Sequence, residues 1–127
     1  MLLVIGVILL VQLFRTPSSS LDPELVASAK QTNEKCPLML NDDTRLDSCL
    51  VISNSEYQWN YTLVNYKKGE PYLDTLKVRL ESYIMSNVGR DPNLNAMADK
   101  KVTVIYHYQD KNGVYLFNIK VPPGRNI

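Results

Sequence analysis

The chain has one histidine, two cysteines and one tryptophan in 127 residues. Zinc sites generally show a close C-x2–4-C pair or several histidines, so no metal ligands are expected. No G-x-S-x-G elbow, P-loop or dinucleotide fingerprint occurs, so neither catalytic residues nor a cofactor are expected from motifs. Charge of either sign is not in excess: Lys+Arg 14 against Asp+Glu 13 gives a formal +1. Adjacent basic residues occur only at Lys67-Lys68 and Lys100-Lys101. A nucleic-acid footprint needs a clustered basic face, and nucleic acid is therefore not expected as a partner. A full membrane span of about 20 apolar residues is also lacking.

What the sequence does have at its start is MLLVIGVILLVQLF, apolar except for Gln12. The run is short for a span and within the length of a secretory signal core. No positive residue precedes it, and no small-x-small cleavage site follows closely. An anchor is the preferred reading, with a cleaved signal as the alternative. Residues 1–15 are thus expected to contact the membrane, 16–21 to form a linker, and 22–127 to form one small α+β domain. Either reading places that domain outside the cytoplasm, with a bacterial envelope as the expected location, or secreted if 1–15 is removed.

Asp22-Pro23-Glu24 is a helix start: an N-cap acceptor, proline in the first turn, then an acid. Leu25, Val26 and Ala29 give that helix only a thin apolar stripe, suited to a stalk. Leu46–Ser53 and Tyr57–Tyr66 read as strands joined at Asn54-Ser55. A regular two-residue turn would pair Ile52 with Tyr57, Leu50 with Trp59 and Leu46 with Leu63. That register puts Cys49 on the more polar face. A helix from Pro71 to Val88 follows, with Leu73, Leu76, Leu80, Tyr83 and Ile84 at helical spacing. Pro92–Asp99 forms a short extra helix. Val102–Gln109 and Val114–Val121 flank Asn112-Gly113, a strong hairpin signal. Two- and four-residue loops keep one face apolar; a three-residue loop breaks the pattern. The expected fold is an N-terminal hydrophobic helix, then α-ββ-α-ββ, with antiparallel hairpins covered by the central helix.

The stretch Cys36–Cys49, CPLMLNDDTRLDSC, holds both cysteines. A Cys36–Cys49 disulfide would close a loop of about 14 residues and contribute about 3 kcal/mol. It requires the two Cα atoms within about 7 Å. Two free or separately paired thiols fit the sequence equally well. Asp42, Asp43, Arg45 and Asp47 form a candidate interaction or turn cluster. The EF-hand pattern needs a central glycine and a terminal glutamate, and this loop has neither. Turn capping and pairing of Arg45 with an acid are the expected roles.

At CPLMLNDDTRLDS, followed by YTLVN at 61–65, the sequence resembles a group of small uncharacterised bacterial proteins. These have an N-terminal hydrophobic segment and a C-P…D-x-x-T-R-L-D stretch. The resemblance covers about residues 25 to 121. It implies membrane association and no known activity. The group carries a second cysteine after the central helix, where this chain reads Asn87-Val88-Gly89-Arg90. A disulfide to that site is therefore not carried over.

The leading functional expectation is a non-enzymatic, membrane-anchored domain that binds a protein partner through open sheet edges and polar sheet faces. Two alternatives stand beside it. One is a ligand-binding module with a tyrosine-lined pocket between sheet and helix. The other is a small thiol enzyme using Cys36 and His107.

Overall fold

The computed structural model describes residues 20–126. The order of elements is α1 (Pro23–Glu34), β1 (Leu38–Met39), β2 (Thr44–Ser53), β3 (Glu56–Leu63), α2 (Tyr72–Asn87), α3 (Pro92–Asp99), β4 (Thr103–Asp110) and β5 (Tyr115–Val121). Short 3-10 turns occupy Val88–Arg90 and Pro123–Asn126. The expected hydrophobic segment 1–15 lies outside the described residues, as does most of the linker at 16–21. Among the described residues, no helix is long and apolar enough to cross a membrane.

The α-ββ-α-ββ arrangement is not what forms. All five strands join one mixed sheet in the order β1-β2-β3-β4-β5. The pairs β1–β2, β2–β3 and β4–β5 are antiparallel, whereas β3 and β4 run parallel. A parallel neighbour requires a long crossover, and residues 64–102, carrying α2 and α3, supply it. The two hairpins are therefore not separate units: this crossover joins them in one sheet, and the two-residue strand β1 extends its edge.

Successive side chains of a strand point to opposite faces. Tyr57, Trp59, Tyr61 and Leu63 of β3 lie on the face that also carries Val104, Tyr106 and Tyr108 of β4 and Phe117, Ile119 and Val121 of β5. Leu25 and Ala29 of α1, Ile84 of α2, and Leu94 and Met97 of α3 complete this core. The central helix, expected to cover the hairpins, shares that role with α1 and α3. α1, read as a weakly packed stalk, lies against β2 and buries Leu25 to 1% exposure. Its start is as expected: Asp22 caps Glu24 N–H at 2.9 Å, and proline follows in the first turn.

The β2–β3 turn is the expected Asn54-Ser55, yet the register differs. Ser53 pairs with Glu56, but then Val51 pairs with Tyr57 and Cys49 with Trp59. Irregularities between Val51 and Ser53, and again between Leu46 and Ser48, account for this. One extra residue reverses the face of everything beyond it. Cys49 therefore points into the core at 5% exposure, while Leu50 and Ile52 are 51% and 44% exposed. The second irregularity returns Leu46 to the core, opposite Tyr61.

The last hairpin keeps the expected pairs Tyr108–Phe117, Tyr106–Ile119 and Val104–Val121. Its loop nevertheless has three residues: Asp110 N–H donates to Val114 O at 2.8 Å, with Gly113 at φ +80. A shift between Tyr108 and Gln109 absorbs the odd residue. That is why a loop length that breaks a regular register is tolerated.

Candidate functional site

The turn before β2 is built by Asn41, whose Oδ1 accepts from Asp43 N–H at 2.8 Å and Thr44 N–H at 2.9 Å. This is an Asx turn. Asn65, just past β3, donates through Nδ2 to Asp43 Oδ1 at 2.7 Å and to Asp42 O at 3.1 Å. Val64 N–H donates to Asp43 O at 2.9 Å. The turn is thus tied to the end of β3 from two directions.

Opposite this turn runs α2. Leu76 and Leu80, four residues apart and so on one helix face, stand across from Leu63 and Tyr66. Together with Asn41, Asp42, Asp43 and Thr44 they enclose a cleft of about 310 Å³. Its floor is apolar and one rim is acidic. The Tyr66 ring stacks on Tyr72 with centroids 6.1 Å apart, and the Arg79 guanidinium lies 5.9 Å from the Tyr72 ring centre. Burial, then the negative charge of Asp43, raises the Tyr66 phenol above its ordinary range. α2 is thinly packed for a helix in a core layer: only Leu73 and Ile84 are fully buried, while Val78 and Tyr83 are 62% and 70% exposed. A second cleft of about 270 Å³ lies on its other flank, lined by Tyr83, Ile84, Asn87, Asp91, Leu94 and Tyr106 among others.

The structure divides the acidic cluster expected from sequence. Asp42 and Asp43 rim the cleft beside α2. Arg45 and Asp47 lie on the opposite face of the sheet, where Arg45 pairs with Asp47 at 2.6 Å. Thr62 Oγ1 donates to Asp47, accepts from Arg45 Nη2 at 3.3 Å and accepts from Gln109 Nε2 at 2.9 Å. Among the described residues no helix packs on this face. It is laced by its own polar side chains: Asn60 Nδ2 donates to Ser48 Oγ at 3.0 Å, and Gln58 Nε2 to Asn60 Oδ1 at 2.8 Å.

His107 sits on that polar face, with Nδ1 2.9 Å from Asn118 Oδ1 and its ring 5.1 Å from that of Tyr115. Cys36 and Cys49 are on the helix-covered side. The sheet lies between thiol and imidazole, so the Cys36–His107 arrangement required by a thiol enzyme is not formed. Both cysteines are free thiols. Burial raises the pKa of each, Cys36 also feeling the charge of Asp47. The tyrosines expected to line a pocket instead stack as a ladder, with Tyr61 and Tyr108 centroids 5.1 Å apart and Tyr108 and Phe117 5.2 Å apart. Burial pushes Tyr57 up to about 12. Tyr106, a core tyrosine, reaches the second cleft. Among the described residues no group of acids, histidines and cysteines is placed to hold a metal ion.

Sequence reasoning missed two positions. Asn33 of α1 grips Cys49 through its side chain, accepting from the backbone N–H at 2.6 Å and donating to the carbonyl at 3.1 Å. Asp110, 1% exposed, accepts from the backbone N–H groups of Lys68, Asn112 and Val114 at 2.8, 2.8 and 2.9 Å. The aspartate at the hairpin loop was a visible turn signal for the second; nothing local marked the first.

Two solved structures share this architecture. One is a Pseudomonas aeruginosa protein with a provisional assignment as secreted: TM-score 0.67, 12% identity, covering 82% of this chain and 90% of that one. The other is the pilotin of the Vibrio vulnificus type 2 secretion system: TM-score 0.61, 10% identity, covering 82% of this chain and 89% of that one. At these identities the likeness is one of fold. No curated protein matches the chain. The family model for DUF8479, a domain of unknown function, matches residues 20–117, and the chain belongs to that family.

Proposed function

We propose that this is a non-enzymatic, extracytoplasmic domain of the bacterial envelope, tethered through residues 1–15, that holds a protein partner in the cleft beside α2. The observation that carries the reading is the cleft itself: half-buried Leu76 and Leu80 face Leu63 under a rim bearing Asp42 and Asp43. Apolar side chains left partly in water gain about 25 cal/mol per Å² when a partner covers them. The acids favour a partner segment with a basic residue beside its apolar ones. A fold shared with a secretion-system pilotin and with a protein provisionally assigned as secreted supports an envelope setting.

Photocrosslinking in the native host tests this. A crosslinking residue at Lys77, exposed on α2, is compared with one at Lys120, exposed on β5. A discrete adduct to one protein from Lys77, absent from Lys120 and lost in the Leu80→Asp background, is expected. Equal labelling from both positions, or none from Lys77, refutes the cleft as the docking site.

A further inference from the structure

The bulge in β2 has placed Cys49 under the last turn of α1, and Cys36 follows that same turn. Cys36 Sγ donates to Thr32 O at 3.2 Å, and the Cys49 thiol also has Thr32 as a polar neighbour. The Cys49 thiol is near enough to Cys36 to feel its charge. Their backbones are already held together without the sulfurs: Asn33 bonds both polar groups of Cys49, while Cys36 N–H donates to Asn33 O at 3.2 Å. Tyr57, fully buried beside Cys49, has a hydroxyl with no hydrogen-bond partner of good geometry.

We infer that Cys36 and Cys49 are an exchange-competent pair that closes to a disulfide by reaction with a protein disulfide donor, fastening the end of α1 to β2. Cys36 is the partly exposed member and Cys49 the buried one, which sets the order of events. The Cys36 thiol loses its proton to water, and its sulfur bonds to one donor sulfur. The other donor sulfur leaves as a thiolate. Cys49 then loses its proton, and its sulfur attacks Cys36 Sγ. The bond between Cys36 and the donor breaks, and the second donor thiolate departs. Two protons and two electrons leave the chain, and the electrons reduce the donor disulfide to two thiols.

The test uses the full chain with glutathione disulfide as the donor, read by intact mass, alkylation and peptide mapping. The expected product is a monomer lighter by two hydrogens, with no alkylatable thiol and a Cys36–Cys49 cross-linked peptide. Its melting temperature is about 12–18 °C above that of the reduced chain. In Cys49→Ser the reaction stops at a glutathione adduct on Cys36. Cys36→Ser, altered at the more exposed position, keeps the fold and shows a Cys49 that reacts far more slowly than wild-type Cys36. A wild-type chain that retains a glutathione adduct, forms intermolecular dimers or keeps two alkylatable thiols overturns the inference. So does an internally bridged product whose melting temperature is unchanged.

Discussion

Replacing Asn33 by alanine separates the packing of α1 from its hydrogen bonding. Strand β1 pairs with β2 only at Leu46 and Arg45, so the outer edge of β2 is uncovered further along. At Cys49 the Asn33 carboxamide takes the place of a neighbouring peptide group: its Oδ1 accepts from the N–H and its Nδ2 donates to the carbonyl. A net intramolecular hydrogen bond contributes about 1 kcal/mol, and leaving a partly buried peptide group unpaired costs more than the mean. Two bonds therefore give about 2 kcal/mol for Asn33→Ala, a fall in melting temperature of about 8–12 °C for a domain of this size. Urea unfolding at neutral pH measures it, with the slope expected to stay constant. Asn33→Asp is the control: it keeps the acceptor for the N–H but loses the donor and sets a carboxylate against the carbonyl, so it recovers no more than half the loss. A change below about 0.5 kcal/mol for Asn33→Ala would mean that water replaces the carboxamide without penalty, and the edge-capping argument would fail.

Tyr57→Phe removes a buried hydroxyl whose polar neighbours Ser28, Thr32 and Cys49 make no hydrogen bond of good geometry; the expected change is neutral to stabilising by up to about 1 kcal/mol, and a loss above about 1 kcal/mol in urea melts contradicts it. Asp110→Asn is expected to lower the melting temperature at pH 7, because the carboxylate collects three backbone N–H groups that link the loop at Lys68 to the last hairpin. Backbone hydrogen bonds, first that of Lys68, hold the Asp110 pKa below its ordinary value. A depressed folded-state pKa stabilises above the unfolded value of about 3.9, and that stability is lost as pH falls through the lower folded value. The wild type should therefore lose melting temperature more steeply than Asp110→Asn below about pH 4; parallel curves would refute the assignment.

Much of the local structure is legible in the sequence because its signals are local. Asp22-Pro23-Glu24 announces a helix start, and Asp22 Oδ1 does accept from Glu24 N–H at 2.9 Å. Alternation in β4 and β5 fixes Val104, Tyr106 and Tyr108 on the core side. The parts that escaped depend on partners distant in sequence. Parallel pairing of β3 with β4 leaves no turn signal, because both strands pair with their own hairpin neighbours as well. The bulge at Ile52 is invisible in a run of apolar residues, where either face could accept the pattern. The candidate cleft was half visible: Leu76 and Leu80 stood out by spacing and Asp42 and Asp43 by composition, but nothing told that they meet.

The polar sheet face and open edges that the sequence offered as binding surfaces compare poorly with this cleft on physical grounds. On the face, Ser48, Asn60 and Gln58 bond in one chain, Asp47, Arg45, Thr62 and Gln109 in another, and His107 neighbours Asn118. A partner there must replace bonds already made, which yields little net gain. The β2 edge is partly closed, by β1 at one end and by Asn33 further along. The cleft instead presents Leu76 and Leu80, whose burial is favourable without breaking anything. A charge introduced at Asn60 should then leave partner capture unchanged, whereas Leu80→Asp should abolish it while retaining a cooperative thermal transition. If Asn60→Lys abolishes capture and Leu80→Asp does not, the partner reads the amide-laced face and the role of α2 is only to close the core.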